Sequence, residues 1–82
     1  MVDIIESVTI NMVLEEVAYI KDLFDQAPTG TSELVDRLRT KAIKRLQRYL
    51  KRLHGTDFTA ALDIIKETFG RRAYEVSGYA NF

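Results

Sequence analysis

The chain has 82 residues, of which 46% are hydrophobic and 29% charged, with four glycines, one proline and no cysteine. That length holds one compact core (residues 1–82 as a single domain) and excludes a second, and the composition is that of a globular protein, not a disordered one. Without cysteine there is no disulfide framework, thiolate metal cluster or cysteine nucleophile.

Formal net charge is zero, but the charges are segregated. Residues 1–31 carry six acids against the single base Lys21, a net of −5. Residues 32–55 carry eight bases against Glu33 and Asp36, a net of +6, and the remainder is close to neutral at −1. An acidic segment is thus followed by a strongly basic one, an asymmetry that points to a partner or to internal pairing.

Asp3-Ile4-Ile5-Glu6 fits a capping box and predicts that a first helix starts there. Ile10, Val13, Val17, Ile20 and Phe24 then recur at helical intervals, with Leu14 and Leu23 widening the stripe. The β-branched run Ile4 to Ile10 suits a strand better and weakens the first two turns. Pro28 and Gly30 place a loop over residues 26–31, after which Thr31 or Ser32 is a suitable cap.

A second helix is predicted from about Glu33 to His54. Its apolar stripe is Val35, Leu38, Ala42, Leu46, Tyr49 and Leu53, with Leu34, Ile43 and Leu50 beside it. Arg37, Lys41, Lys44, Arg48 and Lys51 or Arg52 form a displaced basic stripe on the same helix. Gly55 ends it, and Thr56-Asp57 offers the next cap. The third helix, about Phe58 to Phe69, presents Phe58, Ala61, Ile64 or Ile65, and Phe69 inward until Gly70 stops it. Residues 71–82 fit a helix extension, an irregular arm or a short strand, and an extended or partly helical arm is expected. The predicted fold is all-α: a small three-helix domain, an antiparallel helical hairpin plus a third helix, with a short C-terminal arm.

No Gly-rich phosphate loop, metal-ligand spacing, nucleophile elbow or Ser/His/Asp ordering is present. Glu15 and Glu16 are adjacent and so diverge on a helix, and His54 stands alone at a helix end where the dipole suits a protonatable group. No enzyme activity, cofactor or metal is expected. The N-terminal residues lack a basic n-region and no apolar run approaches the roughly 20 residues of a membrane span, so a cytoplasmic location is expected and a membrane role disfavoured.

The basic stripe has a structural reading and a functional one. Short loops favour antiparallel neighbours, which predicts that some bases pair with Glu15, Glu16, Asp22 or Asp25 across the hairpin seam. The bases left over point to an acidic protein surface, met by Arg45, Arg48, Lys51 and Arg52 with Tyr74, Tyr79 and Phe82 as apolar anchors. The alternative is nucleic-acid phosphate along Arg37, Lys41, Lys44, Arg48 and Arg52. A helix-turn-helix reader is disfavoured, because the third helix offers Asp57, Asp63 and Glu67 against Lys66 alone. Arg71 and Arg72 with the tail aromatics suit stacking on bases or folding back onto the core. More aromatic and apolar side chains are present than three short helices cover, so self-association as a homo-oligomer is expected. The leading expectation is therefore a small, non-enzymatic, protein-binding adaptor or regulator.

Overall fold

The computed structural model describes residues 8–26 and 33–79. Four helices follow one another: α1 (Ile10–Gln26), α2 (Glu33–Arg52), α3 (Gly55–Phe69) and, after a 3-10 turn at Gly70–Arg72, the short α4 (Ala73–Ser77). No strand occurs among the described residues. The three long helices pack as a helical hairpin with a third helix laid on it, the all-α architecture that the periodicity predicts.

α1 starts later than the capping-box pattern suggests. Val8 and Thr9 are not helical, and Thr9 caps the helix by accepting the Met12 N–H on its Oγ1 at 3.2 Å. Asp3 and Glu6 lie outside the described residues, as do the caps expected at Thr31 or Ser32. From Thr9 onward the apolar period takes over: Val13, Val17, Ile20 and Leu23 are buried, with Ile10 and Phe24 packed at their edge.

α2 turns inward a stripe of half-buried Val35 and buried Arg39, Ala42, Leu46 and Leu50, continued by Leu53 just beyond the helix, at intervals of 4, 3, 4, 4 and 3. This corrects the predicted stripe at its N-terminal end. Leu34 and Leu38 are 65% and 38% exposed, because each precedes a core position by one residue and is turned about 100° away from it. The helix also ends at Arg52, two residues short of prediction.

The corner into α3 is built differently from its sequence signal. His54, extended at φ −135° and ψ 157°, occupies the cap position of α3 with no side-chain cap bond, and α3 begins at Gly55 and not after Thr56-Asp57. Gly55 has φ 63°, a conformation that suits glycine. Ala61 and Ile65 are the fully buried residues of α3, so the choice between Ile64 and Ile65 falls to Ile65. Gly70, at φ 56°, ends the helix and donates its N–H to the Lys66 carbonyl.

The C-terminal arm is folded as far as residue 79. Ala73 and Val76 are buried, and Gly78, at φ 82°, closes α4 by donating to the Tyr74 carbonyl at 2.8 Å. Tyr79 meets Phe58 edge to face, with ring centroids 5.3 Å apart. α1 packs on both α2 and α3, and α4 packs on both α2 and α3, so one core runs through all four helices.

Candidate functional site

The basic face of α2 is the candidate site, and folding divides its bases into two groups. Arg45 is turned to the hairpin seam, where its Nε–H donates to Glu16 Oε1 at 2.9 Å and its Nη2 to Glu16 Oε2 at 3.1 Å. Fork-to-carboxylate geometry of this kind fixes orientation as well as charge. The hydrogen bond that Arg45 donates to Glu16 holds its guanidinium above its ordinary pKa. Glu16 is buried on α1 while Glu15 is exposed, so the two adjacent carboxylates diverge. One of the predicted seam pairings is thereby present, and Arg45 is committed to it.

Arg39 is the second base drawn inward. It is 7% exposed, donates to Asp36 at 2.7 Å and lies 4.7 Å above the centre of the Phe24 ring. Arg72 lies 4.9 Å from the same ring centre, and Phe69 approaches it edge-on at 6.0 Å. Arg72 therefore packs on the half-buried Phe24, so that of the two outcomes offered for the arm, stacking on bases and folding back, it takes the second. Sequence reasoning missed Arg39 altogether. Its signal was present in the spacing, since position 39 falls four residues after Val35 and three before Ala42.

The remaining bases stay on the outside. Arg37 reaches Glu33 at 3.6 Å along its own exposed helix face. Lys41, Lys44, Arg48, Lys51 and Arg52 are exposed and make no ion pair with another described residue. They follow α2 from its middle to its C-terminal end, where cations also suit the helix dipole. On the α1 side of the seam, Glu15, Asp22 and Asp25 are exposed, so a polyanion laid along α2 meets acids beside it.

The anchors predicted in the arm separate. Tyr79, half-buried against Phe58, lines an open groove at the α2–α3 corner together with Leu50, Lys51, Leu53 and His54. Lys51 and Tyr79, 28 residues apart in sequence, are thus brought together. Tyr74 points outward from α4 at 60% exposure, away from that groove's lining. Phe82 lies outside the described residues.

Among the described residues no cluster of His, Cys, Asp and Glu has the arrangement of a metal site, and no helix is long and apolar enough to cross a membrane. Comparison of the chain with protein-family models, with curated proteins and with solved structures finds no match.

Proposed function

We propose that this chain is a small non-enzymatic adaptor or regulator that binds another protein and associates with itself. The observation that carries the reading is the row of exposed bases on α2 ending beside the corner groove, where Phe58 and Tyr79 lie with Lys51 and His54 over the buried Leu50 and Leu53. Charge along the row steers and orients an acidic partner segment, while an apolar side chain entering the groove supplies the desolvated anchor. The complement is an acidic amphipathic segment of a larger protein.

A second reading, phosphate binding by a nucleic-acid accessory protein, draws on the same exposed row, Arg37, Lys41, Lys44, Arg48 and Arg52. The acids of α1 beside the row oppose a phosphate and an acidic segment alike, so what favours the protein reading is the corner groove, which a phosphate backbone leaves unused.

The triple variant Arg48→Glu, Lys51→Glu, Arg52→Glu tests both readings. These exposed side chains leave the core untouched, so the circular dichroism melt should match the wild type. Photo-crosslinking from position 58 in extract of the source cells should give a nuclease-resistant protein adduct that the triple variant loses. An adduct unchanged in the variant overturns the protein-binding surface. Titration of a labelled mixed-sequence oligonucleotide provides the other arm, and affinity that falls steeply with salt and vanishes in the variant establishes the phosphate reading instead.

A further inference from the structure

Among the described residues, none packs over the outer face of the α1–α2 hairpin, on the side away from α3 and α4. α1 turns Met12, Glu15, Tyr19, Asp22 and Gln26 along one line at intervals of 3, 4, 3 and 4. α2 does the same with Leu34, Leu38, Lys41, Arg45, Arg48 and Arg52, at intervals of 4, 3, 4, 3 and 4. Such spacing is that of a helix seam, and here it lies beside the buried stripe and not within it. The Glu16–Arg45 pair closes the middle of this face, and the Arg45 guanidinium senses the phenols of both Tyr19 and Tyr49. Leu34, Leu38 and Tyr19, three of the four large hydrophobic residues exposed among those described, all fall here.

The face therefore has exposed apolar side chains toward the loop end of the seam, beyond the Glu16–Arg45 pair, an acidic rail of Glu15 and Asp22 on the α1 side, and a basic rail of Lys41, Arg48 and Arg52 on the α2 side. We infer that this face docks on the same face of a second copy of the chain, about a two-fold axis parallel to the seam, to form a four-helix layer.

The charges select that occupant and that axis. An isologous contact requires a patch that complements itself. Rotation about an axis parallel to the seam exchanges left and right, so the acidic rail of each copy lies on the basic rail of the other. α1 then runs antiparallel to the α2 it meets, as in four-helix bundles. Rotation about an axis across the seam would set acid on acid and base on base. The contact gives Tyr19 of one copy the exposed Leu38 of the other, toward the loop end of the seam, with the rails fixing register. Two helices side by side over about 25 Å present roughly 500 Å² per copy, about 1,000 Å² in all, which is the size of a weak, transient contact. The dimer is accordingly concentration-dependent, and it weakens with salt.

This rests on the self-association proposed for the chain and names its surface, which shares Arg48 and Arg52 with the basic row and excludes the corner groove's lining of Lys51, His54, Phe58 and Tyr79. Sedimentation velocity across a concentration series, at low and high salt, follows the wild type, an acid-rail variant (Glu15→Lys with Asp22→Lys) and a base-rail variant (Lys41→Glu with Arg48→Glu). The wild type should dimerise, more weakly in high salt. Each rail variant alone should associate about tenfold more weakly or worse, and an equimolar mixture of the two should recover a heterodimer, since each then presents one sign to the other. Leu38→Ser, exposed and outside the rails, should weaken association without altering the mixed-variant rule. A wild type that stays monomeric throughout overturns self-association and leaves the corner untouched. A dimer indifferent to both rails and to Leu38, or variants whose mixture stays monomeric, overturns this surface alone.

Discussion

Arg45 and Glu16, 29 positions apart, form the one ion pair that crosses between helices among the described residues, with both carboxylate oxygens engaged at 2.9 and 3.1 Å. The Glu16 side chain is only 11% exposed, and Arg45 supplies the solvation that the carboxylate has lost to burial. The pair therefore acts mainly as a registration device for the hairpin and contributes little net energy of its own.

Removing one partner should cost more than removing both. Arg45→Ala leaves a buried carboxylate and should destabilise by about 1–3 kcal/mol in urea unfolding. Glu16→Leu combined with Arg45→Met replaces the pair by apolar stems and should cost less than the single change. If Arg45→Ala shifts stability by under about 0.5 kcal/mol, the seam pair has no structural role.

Phe24 should couple to Arg72. A double-mutant cycle of Phe24→Leu and Arg72→Ala should return a coupling of about 0.5–1 kcal/mol, the range of a partly exposed cation–ring contact. Zero coupling would mean that the guanidinium leaves the ring in solution.

The arm is tested by contrast between two of its neighbouring residues. Val76→Ala removes two buried methyl groups and should cost roughly 1.5 kcal/mol, while Tyr74→Ala, at an exposed position two residues away, should stay within about 0.5 kcal/mol. Equal effects in thermal unfolding would contradict a docked α4.

Gly70 carries a backbone constraint. At φ 56° and ψ −120° a side chain is strained although no atom lies within 4 Å of a Cβ there, so Gly70→Ala should cost about 1–3 kcal/mol through the backbone alone. A neutral substitution, measured by melting temperature, would show that the helix end relaxes.

Most of the helical framework was legible because it rests on period: Val13, Val17 and Ile20, then Ala42 and Leu46, then Ala61 and Ile65, each mark one buried face. What escaped notice depends on tertiary placement. Arg39 carries a charge and was placed in neither stripe of α2, yet burial over an aromatic ring with Asp36 at hand makes a core position tolerable. Arg45 and Arg48 are the same residue type three positions apart, and only the neighbouring helix decides which meets Glu16. The arm's helix was obscured because five residues have little propensity of their own and form a turn by packing Ala73 and Val76. The division of the proposed contact residues between corner, seam and open face follows from that docking, which no local pattern encodes.

The contacts of the four helices close on themselves, running from α1 to α2, α2 to α4, α4 to α3 and back to α1, with Gln47 donating to the Val76 carbonyl at the α2–α4 joint. Such a fold behaves as a braced frame, not a stack of layers. α4 bridges α2 and α3 opposite their corner, so loosening that brace should let Lys51 and Tyr79 move apart without melting either long helix. Hydrogen exchange should report this directly: Val76→Asp should speed exchange at Leu53 to Gly55 while the middle of α1 and α2 stays protected, and a uniform loss of protection would show that frame and brace unfold as one.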